Sequence, residues 1–251
     1  LLRRWGSPKP HCTTKFGVTG SPPTPRISLD PAPPRKGRRV RLPRVPATGY
    51  HVQMPVHSLI CHPSTPSKVV RRVAVRVRRT CGQLALVYWI EGDLNSVRWP
   101  SPRSSRRTDQ LWQHTCCELF LRERGQTDYY EFNFSPSTEW AIYRFSAYRK
   151  NMAVVEDAKQ SRIAPRVRTD RFELATLIDL KSLSPRLAIA DLCLAVSVVV
   201  EQTDGQCSYW ALRHPSSRPD FHHPDSFALM LDRTAPVLTA RQQDPIDNRV
   251  G

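Results

Sequence analysis

Between Arg107 and Leu121 the chain reads RTDQLWQHTCCELFL, which brings a cation, an acid, an indole and an imidazole into one short loop. These residue types suit a small polar ligand with a flat apolar side. The Trp112 indole can stack on an apolar sugar face, with Arg107, Asp109 and His114 bonding the hydroxyls. Asn133, further along, is a fourth polar candidate, and Trp140 or Trp210 is a candidate for the opposing aromatic wall. The competing reading of the tryptophans is core packing. It weighs more on Trp140 and Trp210 than on Trp112, which follows a polar turn.

Two other chemistries have candidates. Glu118 and Glu131 fall on consecutive strand-like segments, as an acid and base for glycoside hydrolysis would. The plainer reading makes them carboxylates of a surface rim or a hydrogen-bond network. Haem iron would need axial ligands, and His114, His222 and Met152 are the candidates. Against this, the adjacent pair His222-His223 on a loop suits local hydrogen bonding, and Met230 suits packing in a final strand. The chain contains no GxGxxG, Walker P-loop, GxSxG, HExxH or CxxC pattern, which lowers the case for an enzyme or a zinc site. No catalytic residue is assigned.

The elements that must position these groups are strands. Residues 72–80 alternate, with Val73, Val75 and Val77 on one face and Arg72, Ala74, Arg76 and Arg78 on the other. Cys81-Gly82-Gln83 reads as a hairpin turn into 84–90. A short strand is expected near 95–99, the central strand over 115–122, and a third over 129–135 with Tyr130, Phe132 and Phe134 opposite Glu131 and Asn133. Strands over 139–148, 162–168 and 172–180 follow. The stretch 183–200 starts ambiguously and ends as a buried strand, Val196–Val200. Strands over 206–212 and 226–231 complete the set. The predicted fold is all-β, an antiparallel β-sandwich of about 10–11 strands.

Charge and proline divide the chain unevenly. Residues 1–56 hold 11 of the 23 prolines and eleven Lys or Arg against the single acid Asp30, hence ten of the sixteen net positive charges. Segments such as Ser21-Pro22-Pro23-Thr24-Pro25 lack apolar periodicity and predict a disordered tail over 1–55. The expected sandwich covers 56–233, and a flexible tail covers 234–251. Met54 precedes the first folded-looking residues, so translation is expected to start there. The basic tail, rather than the folded part, accounts for most of the charge, so no nucleic-acid partner is expected for the folded domain. The longest apolar stretch, 187–200, is too short to span a membrane and contains Asp191. Seven cysteines without CxxC spacing read as reduced, mostly buried thiols, which with the lack of a secretory signal predicts a cytoplasmic protein. Oligomeric state is not legible.

Taken together, RTDQLWQHTCCELFL, YYEFNFSPSTEWAIYRFSAYR, VVVEQTDGQCSYWALRHPSSRPDFHH and SFALML resemble the bacterial DOMON-like domain family, related to family 9 carbohydrate-binding modules and haem-binding DOMON domains. The resemblance covers about residues 57–232. It implies a sandwich and a non-catalytic ligand-binding role, with a carbohydrate first and haem second. Gln113-His114-Thr115 stands where the sugar modules carry paired calcium-binding acids, so no metal is expected.

Overall fold

The structure is a computed structural model that describes residues 55–80, 82–156 and 161–233. The tails expected over 1–55 and 234–251, and the proposed start at Met54, fall almost wholly outside the described residues. Among those residues twelve strands form one continuous antiparallel sheet. In chain order they are β1 (Val56–Cys61), β2 (Val70–Thr80), β3 (Gln83–Gly92), β4 (Cys116–Glu123), β5 (Tyr129–Phe134) and β6 (Trp140–Phe145). Then come β7 (Ala153–Val154), β8 (Arg162–Val167), β9 (Arg171–Asp179), β10 (Leu192–Glu201), β11 (Cys207–Ala211) and β12 (Leu229–Leu231). The spatial order is β7-β6-β5-β4-β10-β11-β1-β2-β3-β9-β8, with β12 beside β10.

The sheet folds over on itself at β1, which pairs with β2 on one side and with β11 on the other. One half, β1-β2-β3-β9-β8, then faces the other, β11-β10-β4-β5-β6-β7. Alternation decides what lies between them. Val73, Val75 and Val77 of β2 and Leu84, Leu86, Tyr88 and Ile90 of β3 come from the first half. They meet Leu119 and Leu121 of β4, Phe132 and Phe134 of β5, and Val196 and Val198 of β10. The Tyr88 hydroxyl donates to the Glu118 carbonyl at 3.0 Å, so the one polar atom of a fully buried ring bridges the halves. Two glycines serve the hairpin and its far end. Gly82 takes φ 77° in the β2–β3 turn, and a Cβ on Gly92 would stand 2.3 Å from the Val69 carbonyl oxygen.

The expected all-β antiparallel sandwich is therefore what forms, with twelve strands. β1 and the two-residue β7 are strands that periodicity does not reveal. The segment near 95–99 is not a strand. The Asp93 carboxylate accepts from Asn95 N at 3.2 Å and Ser96 Oγ at 2.6 Å, which winds Leu94–Ser96 into a 3-10 turn. The ambiguous start of 183–200 resolves the same way. Asp179 caps a one-turn helix α1 (Leu180–Leu183), Ser184 caps the 3-10 turn Pro185–Ala188, and β10 begins at Leu192.

Trp140 and Trp210 are 7% and 6% exposed and belong to the core between the halves. They are not walls of a sugar site. Trp210 Nε1 donates to Ser208 Oγ at 3.0 Å inside the fold. Trp210→Ala is expected to cost about 3–5 kcal/mol of stability, seen as a lower urea midpoint at unchanged slope. A loss below about 1 kcal/mol would contradict this placement.

Candidate functional site

The second half of the sheet has two buried faces. One meets β2, β3 and β9. The other carries a separate apolar cluster that includes Phe120, Tyr129, Tyr143, Phe145 and Val199, with Phe221 and Phe227 supplied by the loop after β11. Two loops cover this second face. The first is 101–115, which enters β4. The second is 212–228, which leads to β12.

Strand register sets a polar row into that face. Ser197, Glu118, Asn133 and Ala141 stand opposite one another across β10, β4, β5 and β6. Next to it runs the row Phe120, Glu131, Tyr143. The groups are bonded among themselves. Asn133 Nδ2 donates to Glu131 Oε1 at 2.9 Å, and Ser197 Oγ donates to Glu118 Oε2 at 3.3 Å. His222 reaches down from the second loop, with Nδ1 2.8 Å from the Tyr129 hydroxyl and Nε2 3.5 Å from Glu131 Oε2. Glu118 and Glu131 do share a face, diagonally across neighbouring strands. At 0% and 5% exposure they are members of a buried network, not an acid and base flanking an open cleft.

The first loop is pinned before it crosses the face. Arg107 bridges to Trp140 at the edge of β6, and Thr108 N donates to the Trp140 carbonyl at 2.9 Å. The Glu139 carboxylate gathers Arg106 Nε at 2.9 Å, Thr108 Oγ1 at 3.0 Å and Ser137 Oγ at 3.0 Å. Burial works against its charge, but these donors outweigh burial and hold its pKa below the usual carboxylate value. The loop then brings Asp109 onto Tyr143. Asp109 Oδ1 accepts from the Tyr143 hydroxyl at 2.7 Å and from Arg107 NH2 at 2.9 Å. Burial, and then the hydrogen bond to Asp109, push the Tyr143 phenol well above its ordinary pKa, so it stays a donor.

Gln110 takes a left-handed φ of 64° and starts the 3-10 turn Leu111–Gln113. The turn buries Leu111 and leaves Trp112 half-buried, its ring edge-on to Tyr143 at 5.9 Å between centroids. Backbone held in this region by a residue other than glycine is strained, and such strain collects at ligand sites. Thus Arg107, Asp109 and Trp112 do come together, around a tyrosine that the sequence reading passed over. The period-two parity of β6 was the available signal, since it places Tyr143 on the same face as Glu131. Asn133 lies under this group in the buried floor. His114 does not join it. Its Nδ1 lies 2.8 Å from Glu201 Oε2 at the end of β10, where Arg98 NH1 also binds Glu201 at 2.9 Å.

The haem candidates are dispersed. Both ring nitrogens of His222 are engaged, Met152 is 38% exposed on the hairpin between β6 and β7, and His114 is tied to Glu201. This arrangement offers no axial pair and does not fit the group. Among the described residues no cluster of three or more His, Cys, Asp or Glu has the geometry to hold a metal ion. The five described cysteines are free thiols, and Cys116, Cys117 and Cys193 are buried. Among the described residues no helix is long and apolar enough to cross a membrane. A surface cleft of about 290 Å³ lies elsewhere, lined by Arg122, Tyr130, Arg144 and Arg186. Two of its arginines are held by acids of the same cleft, Arg144 by Asp128 and Arg186 by Glu123.

No protein-family profile matches the chain, and no curated protein matches its sequence. Among solved structures, a candidate carbohydrate-binding protein from Bacteroides uniformis shares the fold at a TM-score of 0.54 and 18% identity, over 68% of this chain and 83% of that one. A family 9 carbohydrate-binding module from Caldicellulosiruptor kristjanssonii is similar in its complex with cellotriose, at a TM-score of 0.40 and 10% identity, over 63% of this chain and 72% of that one. Its complex with glucose gives 0.35 and 11%, over 62% and 74%. The fold likeness rests on the first of these.

The second loop is clamped from outside by Asp220, which accepts from the Tyr148 hydroxyl at 2.6 Å and from Arg149 NH2 at 2.8 Å. Burial opposes the Asp220 charge, but the Tyr148 hydrogen bond and the Arg149 cation prevail and lower its pKa. With the folded pKa below the unfolded one, the clamp contributes fully above the unfolded value and fades as pH falls through the folded value. Asp220→Asn should therefore lose stability at neutral pH and flatten the acid limb below about pH 4. Urea titrations at several pH values would check this, and parallel curves for the two proteins would refute it.

Proposed function

We propose that the chain is a non-catalytic carbohydrate-binding domain whose sugar docks at the Trp112 loop. The observation that carries the reading is the half-buried Trp112 indole held edge-on by Tyr143, beside the hydrogen-bonded pair Arg107 and Asp109. A flat indole with a preset acid and guanidinium at its rim suits a pyranose, which offers an apolar face and a ring of hydroxyls. The fold shared with the candidate carbohydrate-binding protein of Bacteroides uniformis supports the same class. The two carboxylates best suited to hydrolysis are committed to the buried network with Asn133, Ser197 and His222, which favours binding over turnover.

A panel of neutral mono- and oligosaccharides, read by calorimetry and tryptophan quenching, tests the proposal. Trp112→Ala is expected to weaken the best ligand by about 2 kcal/mol or more, roughly thirtyfold, with little change in thermal midpoint. A stability loss of about 3–5 kcal/mol in this variant would instead assign Trp112 to packing. Asp109→Asn, which keeps an oxygen to accept from Tyr143, should weaken binding by more than any loss of stability accounts for. Full affinity in that variant would remove Asp109 from the site.

A further inference from the structure

The outward face of the other half, on the far side of the sandwich, is built differently. Parity sends Arg72, Arg76 and Arg78 of β2 out of the core, Arg162 and Arg166 of β8 point the same way, and exposed Arg168 follows just past the end of β8. β3 and β9 lie between these two rows. Their outward residues are small over two middle rungs, Ala85-Leu177 and Val87-Ala175, next to Ala164 of β8, and longer on either side, with Trp89-Glu173 and Glu91-Arg171 toward one end and Gln83-Asp179 at the other. The result is a short furrow over those two rungs, set between two arginine walls. The walls are three interstrand spacings apart, about 14 Å, and each extends about 20 Å.

The charge is one-sided. With Arg171, seven arginines face outward from this half against Glu91, Glu173 and Asp179. Among the described residues, Arg72 is the one of the seven in an ion pair, with Glu91 at 3.2 Å. All six wall arginines are exposed. The one aromatic of the furrow, Trp89, carries the Arg76 guanidinium over its ring at 5.1 Å and donates its Nε1 to Glu173 at 3.1 Å.

We propose that this face binds an extended acidic polysaccharide, with carboxylates or sulfates paired to the two arginine rows. The planar guanidinium fork matches either anion with two parallel hydrogen bonds. The low floor at Ala85, Val87 and Ala175 seats a sugar ring between the two rows, and the chain continues over Trp89. Single-stranded nucleic acid fits less well, because its bases need several open aromatic platforms. The furrow has a single ring, already topped by a cation. This face is separate from the Trp112 loop, and its occupation does not depend on the neutral-sugar reading.

The test uses the full chain and polygalacturonate at a series of salt concentrations. The sequence also carries a basic run at 35–41, so the control removes equal charge there. Arg162→Ser/Arg166→Ser/Arg168→Ser is expected to weaken binding roughly tenfold or more and to make its salt dependence shallower. Arg76→Ser/Arg78→Ser on the opposite wall should act in the same direction, and decides the matter if the first variant does not fold. Arg35→Ser/Arg38→Ser/Arg39→Ser should stay within about twofold of the parent. Loss in this last variant with none in the wall variants would overturn the proposal. So would tighter binding of a single-stranded DNA oligomer that depends on the same wall arginines, which would make the face a nucleic-acid surface.

Discussion

β10 is buried at all ten of its positions, and much of the molecule follows from that. A strand in a two-layer sandwich normally has one wet face. Here the strands flanking β10 carry large apolar groups on both sides, so the outer side also needs a cover. Loops supply it, and a loop that serves as cover must be anchored at points along its length. Glu139, Asp109 and Asp220 are those points, each taking two or more donors. The polar ring around the candidate site is thus also what holds the apolar cover in place.

Double burial has a second effect. Any polar side chain on the covered face must find its partners there, because an unsatisfied one is costly. Glu131, Asn133, Ser197, His222 and one oxygen of Glu118 find such partners, spread over β4, β5, β10 and the second loop. Such a network tells the loop where to sit. His222 meets Tyr129 and Glu131, which ties the loop between β11 and β12 to a strand about ninety residues earlier in the chain.

Most strands were legible because each has a period of two and one strongly apolar face. β2, β3, β4 and β5 fall within a residue or two of where alternation put them, and the faces of Glu131 and Asn133 are right. What periodicity misses is pairing. β1 is short and mostly exposed, and only its place between β2 and β11 makes it the hinge of the sheet. The one-turn helix at Leu180–Leu183 was written in its cap residue Asp179, not in its apolar pattern. At the site, Arg107, Asp109 and Trp112 were legible as neighbours in one loop. Trp140 and Trp210 were legible as the tryptophans better suited to core packing, but an indole also suits a binding platform, and strand parity against the other half is what separates the two. Parity could place Tyr143 on the right face, but its bond to Asp109, like the Asp220 clamp, joins distant segments, to which residue type and spacing are blind.

Among the described residues the sheet ends at β7 and β8. An uncovered strand is a template on which another chain can add, and longer edges are the more dangerous. β7 has two residues and offers little purchase. β8 has six, and it carries Pro165 in its middle, where one backbone donor is missing, with arginines before and after it. A second copy approaching edge to edge would bring its own β8 arginines against these, in a row that like charges oppose. The chemistry of that strand therefore opposes extension of the sheet by a second copy.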